Sequence, residues 1–198
     1  MGGAILYPDS TDRWIDASTT PVQPTTTLQS TVDAEDAVAH FAGEQRRGLS
    51  LRMGSLYGPE SPATREQLDF AHKGIAALHG HSEAYLPQVS VQDGAGAIVA
   101  ALLQPIPLGI YDVTDDEPLT RDEVFALLAQ AVGRKRLWQP PALLMWVMAG
   151  GVYNMMSRSL RVSNRRFKEV SGWRPLVPNA RMGWACIAQQ SGAAMPVF

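Results

Sequence analysis

The sequence predicts an α/β fold with parallel strand pairing. Two observations carry this. Short apolar runs closed by proline or glycine alternate with longer stretches whose apolar residues recur at three- and four-residue steps. The composition agrees: of 198 residues, 45% are hydrophobic and 18% charged, the balance of a folded chain rather than a disordered one.

Taken in order, Ala4–Tyr7 is a short apolar run stopped by Pro8 and reads as a strand. Residues 9–24 are rich in Asp, Thr and Pro and read as a loop. A helix follows, with Ala34, Ala37, Val38 and Phe41 on one face and Asp33, Glu35 and Asp36 in its early turns, where the helix dipole favours acids. Leu49–Met53 reads as a strand and 65–78 as a helix with Leu68, Ile75 and Leu78 inward. The run 84–91 is a strand broken by Pro87. Residues 95–103 form a small-residue helix, and Gly109–Val113 is a strand. Helix 119–132 has Thr120 or Asp122 as its cap, an inner stripe of Val124, Leu127, Leu128 and Ala131, and Gly133 at its end. Pro140 and Pro141 open an apolar helix to about residue 149. Residues 163–170 form a short basic helix and 181–190 a last one.

Composition also excludes function classes. The formal net charge is −2, too weak a field to hold a phosphate backbone, so no nucleic-acid partner is expected. No apolar stretch is long enough to span a bilayer, so no membrane association is expected. Cys186 is the only cysteine, which rules out an intrachain disulfide and fits a reducing compartment, the cytoplasm. Its apolar helical setting predicts a core position.

Local motifs are sparse. Gly94-Ala95-Gly96 lacks the third glycine of a dinucleotide fingerprint and reads as a close-packing helix face. His79-Gly80-His81 lacks a nearby third metal ligand, so no metal is expected. His40 and His72 read as surface residues. Asp115 and Asp116 lie in a turn, where carboxylates usually satisfy backbone N–H groups. Arg158, Arg161, Arg165, Arg166 and Lys168 form either a solvated face or an anion site.

Four segments, in order, resemble the NAD(P)-dependent epimerase/dehydratase family, the extended or atypical short-chain dehydrogenase/reductases. LRMGSLYGP at 51–59 looks like the strand and loop after the family's catalytic helix. QVSVQDGAGAIVAAL at 88–102 is similar to its "hVdDva" segment, with Ser90 at the histidine position and Asp93 at the second acid. GIYDVTDDEPLTRDEV at 109–124 and RVSNRRFKEVSGWRPLVPNARMGW at 161–184 resemble its later strand–helix and closing segments. The resemblance implies a partial Rossmann-like parallel sheet with a small helical substrate-binding subdomain. Residues 1–114 would carry the C-terminal part of the core with interleaved substrate-domain segments, and 115–198 a mostly helical substrate-binding portion. It implies NAD or NADP as cofactor and a small-molecule or sugar-nucleotide-like ligand. By family position, Met53 and Ser55 would sit at the nicotinamide end, Tyr57 and Pro59 at the cleft mouth, and Arg161 toward the substrate. Arg52 is expected to pair an acid within the fold.

The sequence also departs from the family. The glycine-rich half that seats a pyrophosphate on a helix N-terminus is not in it, and about a hundred residues would be expected upstream. Gly2 and Gly3 occupy the region of the catalytic Ser or Thr. The Tyr-x-x-x-Lys dyad is replaced by Thr27 and Thr31, and none of the three lysines, Lys73, Lys135 and Lys168, has a tyrosine four residues before it. An aliphatic hydroxyl without an adjacent cation cannot perform that proton transfer, so no catalytic residue is assigned. Thr27 and Thr31 read instead as helix-start residues. Three readings follow: an epimerase, dehydratase or reductase that is inactive as an isolated chain; a non-catalytic binding or regulatory protein; or a truncated product. The unpaired sheet edge such a chain exposes would favour a homodimer.

Overall fold

The computed structural model describes residues 2–43, 45–76, 80–141, 147 and 151–190. Its centre is a three-stranded parallel sheet of β1 (Gly2–Gly3), β3 (Leu49–Met53) and β7 (Gly109–Val113), in the order β1-β3-β7. Gly2 lies opposite Arg52, and Leu49 through Met53 run in register with Gly109 through Val113. α1 (Gln29–Phe41) packs against β1 and β3, and α3 (Val91–Leu103) against β3 from the other side. Alternation along β3 and β7 sends Leu51, Met53, Tyr111 and Val113 into a core with Val89, Ala97, Ile106, Phe167 and Trp173.

Three small strand pairs surround the sheet. β2 (Trp14–Ile15) pairs in parallel with β9 (Arg161–Val162). β4 (Ser55–Tyr57) pairs in parallel with β6 (Gln88–Ser90), and β5 (Tyr85–Leu86) antiparallel with β8 (Leu119–Thr120). Gly54 lets the first of these crossings close up, since a Cβ there would lie 2.9 Å from the Gln88 backbone. A second core joins α2 (Pro62–His72), α4 (Arg121–Ala131) and α7 (Ala180–Gln190) through Ala71, Val124, Leu128, Trp184 and Ile187, with Tyr57 among them. α5 (Gly151–Met156) and α6 (Arg165–Ser171) complete the described elements.

Several expectations hold. Strands 49–53 and 109–113 fall where periodicity put them, and α4 buries its whole inner stripe. Thr120 is its cap, with a reciprocal capping box to Glu123. Pro87 divides β5 from β6.

Others are corrected. The first apolar run is not a strand: Ala4–Leu6 form a single 3₁₀ turn, and Ala4 and Leu6 bury without strand pairing. α1 exposes Ala34, Ala37 and Phe41 and buries Glu35 instead, because Arg52 on β3 lies beneath that face. Cys186 is exposed, since α7 turns Trp184, Ile187 and Ala188 inward. Gly94 and Gly96 do lie on a close-packed helix face, within α3 against Leu56 and Trp173, as expected. Most of the apolar helix expected at 140–149, and His79, lie outside the described residues.

Candidate functional site

In parallel sheets, ligands bind beyond the carboxyl ends of the strands. Here those ends are Gly3, Met53 and Val113. The segment after β1 folds back across them. It is held by Asp112 on β7, whose carboxylate accepts from the Tyr7 hydroxyl (2.7 Å) and the Ala17 backbone N–H (2.7 Å). Tyr7 is fully buried, and Arg52 stacks on its ring at 4.9 Å. Arg52 in turn donates to both oxygens of Glu35, at 2.9 and 2.7 Å. Burial disfavours the arginine's charge, but these bonds and Tyr7 outweigh it and hold its pKa above the usual value. Burial pushes the Asp112 carboxyl up to about 6, against the hydrogen bonds that oppose the rise. Burial, then the Asp112 charge, also drives the Tyr7 phenol upward.

The segment 158–162 is stitched onto this layer. Arg158 donates to the carbonyls of Tyr7 (2.8 Å) and Gln23 (2.9 Å), Ser159 N–H to Asp9 (2.8 Å), and Arg161 N–H to Ser10 Oγ (3.1 Å). Leu160 N–H donates to the Tyr85 carbonyl. The result places the Arg161 guanidinium between two rings, 4.5 Å from the Trp14 centroid and 4.8 Å from that of Tyr85. Arg161 Nη1 donates to the Asp12 carbonyl, while its Nε is buried without a partner.

This stack lines a cleft of about 660 Å³, whose rim carries Glu83, Asp116, Glu117, Asp122 and Glu123. Lys168 pairs with Asp116 at 2.6 Å, and Arg181 pairs with Glu117 and Glu123. No ion pair engages Glu83 or Asp122 among the described residues. Trp14 is 51% exposed, so the indole offers surface beyond the arginine contact.

The other expected site residues are placed differently. Met53 is buried in the sheet core, while Ser55 is exposed at the start of β4 with its N–H on the Pro87 carbonyl. Tyr57 is not at a cleft mouth. It is buried beside Trp184, and its hydroxyl donates to Asp115 at 3.1 Å. Pro59 is exposed on the turn before α2. Thr27 is exposed on a 3₁₀ turn and Thr31 half-buried on α1, and neither caps the helix. Ser90 caps α3 and donates to Asp93, whose carboxylate also accepts from the N–H groups of Leu176 and Val177; both residues are structural. The basic group is dispersed: Arg165 pairs with Glu169, Arg166 stacks on Tyr111, and Lys168 holds Asp116. The sequence reading missed Trp14 and Tyr85, which are unremarkable alone: the β2–β9 pairing brings Trp14 to Arg161, and the Leu160 N–H to Tyr85 carbonyl bond brings Tyr85.

The parallel sheet and the helices that cross it have the fold of the NAD(P)-dependent epimerase/dehydratase proteins, a branch of the short-chain dehydrogenase/reductases. The human epimerase family protein SDR39U1, solved with NADPH, superposes with a TM-score of 0.83 at 21% identity, over 95% of this chain and 63% of that one. A functionally unknown conserved protein from Silicibacter pomeroyi gives 0.74 at 25% identity, over 96% and 64%. UDP-glucose 4-epimerase from Thermotoga maritima gives 0.74 at 19%, over 96% and 61%. A 3-diazoavenalumate denitrifying reductase from a Streptomyces species is 28% identical over 170 residues, 79% of this chain and 51% of the relative. The chain therefore spans about half the length of that curated relative. No family model matches.

Proposed function

We propose that this chain is the substrate-side portion of an NAD(P)-dependent epimerase, dehydratase or reductase, and that alone it binds a small molecule without turning it over. The observation that carries the reading is the cleft that Trp14, Tyr85 and Arg161 line on a chain with this fold. The name of the Streptomyces relative favours a reductase for a whole protein of this kind.

The described residues do not fit a dinucleotide. A pyrophosphate needs backbone N–H groups at a glycine-rich helix start; Gly94 and Gly96 are inside α3 and packed against side chains, and Gly2 and Gly3 are paired in β1. The chain's own groups position rather than react: Asp112 holds the covering segment, Arg158 and Ser159 fix β9, and Arg161 is presented to the cleft. Tyr7, buried in this network, has its hydroxyl committed to Asp112. The single cysteine favours a reducing compartment, the cytoplasm.

The test is calorimetric titration of the chain with NADPH and NADH, run beside an assay of their oxidation with candidate small carbonyl substrates. The expected result is no oxidation by this chain. Steady oxidation at the rate of an ordinary reductase overturns the reading.

A further inference from the structure

We propose that the groove between α1 and α3 seats one more parallel strand, an extended apolar segment joined to the amino side of Gly2 that continues β1 along Leu49–Leu51. This goes beyond the reading above and does not rest on it, since groove and cleft share no residue.

Three observations lead there. The first is a half-covered strand. β3 pairs with β7 from Leu49 to Met53, but on its other edge β1 meets only Arg52 and Met53. Leu49, Ser50 and Leu51 have no described strand on that edge. Their backbone groups need partners, and an extended chain supplies N–H and C=O in a row, whereas a helix uses its own internally. The second is the groove itself. It encloses about 530 Å³, with Val38 and Phe41 of α1 on one side, Ile98 and Leu102 of α3 on the other, and Leu49 and Leu51 of β3 between them. A strand seated about 4.8 Å from β3 stays within the sheet layer. Its alternate side chains face α3 and α1, and both walls are apolar, so the segment is a continuous apolar run. Phe41 and Leu102, now 52% and 77% exposed, are surface such a strand covers. The third is direction. β1 already fills the carboxyl half of this edge in register, so a segment entering the amino half parallel to β3 runs into Gly2. Proteins with this fold have chain to supply it: this one covers 63% of SDR39U1 and 64% of the Silicibacter protein. A second copy fits poorly, because its own open edge is recessed between its own two helices and the two edges cannot meet.

The test adds the strand. A lysine and four valines are placed ahead of Gly2 in the full chain. In a control extension two of the valines are prolines, which lack the N–H that the ladder uses. Hydrogen exchange read by mass spectrometry follows the amides of 49–51. The valine extension is expected to slow their exchange about tenfold or more relative to the control. Ile98→Lys, on the groove wall, is expected to shrink that difference to about threefold or less. Leu103→Lys, exposed on the same helix but outside the groove, is expected to leave it unchanged. Circular dichroism verifies that the variants are folded. Equal exchange in the two extensions overturns the proposal, and so does a difference that persists in Ile98→Lys. A parent chain that sediments as a dimer and already protects 49–51 also overturns it, since a second copy is then the occupant. The cofactor assay reads only the cleft, so either reading can fail while the other stands.

Discussion

On the α3 side of the central sheet, Leu51, Met53, Tyr111 and Val113 meet Ala97, Phe167 and Trp173 through apolar contact. On the α1 side, the alternate residues of the same strands, Arg52 and Asp112, meet Glu35 and Tyr7 through hydrogen bonds and an ion pair. Both faces are buried, and strand alternation alone separates them. The apolar face draws on area, which is graded and forgiving. The polar face draws on matched partners, so losing one leaves another exposed to a low-dielectric interior. The segment that carries Trp14 into the cleft is anchored to the polar face, through Asp112 and Ala17.

This contrast can be broken from either side. Arg52→Met strands Glu35 without its partner and is expected to cost about 3–5 kcal/mol in urea unfolding. Adding Glu35→Leu is expected to restore most of it, whereas a double variant no better than the single would refute the pairing account. Leu51→Ala on the other face is expected to cost about 2–3 kcal/mol, with no partner substitution able to restore it. A third variant separates burial from pairing. Asp115 lies in the helical core, accepts from Tyr57, and has one oxygen with no partner. Burial pushes its carboxyl up to about 8. A raised acid binds more protons folded than unfolded, so its contribution falls as pH rises from the ordinary carboxyl range, about 4, to about 8. Asp115→Asn is expected to match the parent at pH 5 and to exceed it by about 2 kcal/mol at pH 9; parallel stability–pH curves would contradict this. The smallest effect lies outside both faces. Thr120→Ala removes the cap of α4 and is expected to cost about 1 kcal/mol at any pH between 5 and 9, seen as a shift of the urea midpoint with unchanged slope.

What the sequence made legible follows the range of its signals. Local periodicity carried β3, β7 and the buried stripe of α4, since each is set by neighbours a few residues apart. It failed on α1, where the apolar residues face solvent and the buried residue is charged, because the partner Arg52 comes 17 positions later in the chain. It also failed on Tyr57, whose motif context pointed to a cleft but whose ring stacks on Trp184. The two aromatic neighbours of Arg161 were not legible either. Trp14 is brought to it by the β2–β9 pairing and Tyr85 by the hydrogen bond from Leu160 N–H to its carbonyl, and no local pattern encodes such distant contacts.

The stitching of residues 7–15 to 158–162 also sets an order of events during synthesis. Its hydrogen bonds join groups 149 to 151 positions apart. Chain entropy makes such closures slow, and a growing polypeptide cannot begin them until residues 158–162 are available. Residues 7–15 must therefore wait, without these partners, while nearer contacts in the sheet and helices form. A chain halted before residue 158 would keep most of the side chains that line the cleft, but not Arg161 or the strand that holds Trp14 beside it.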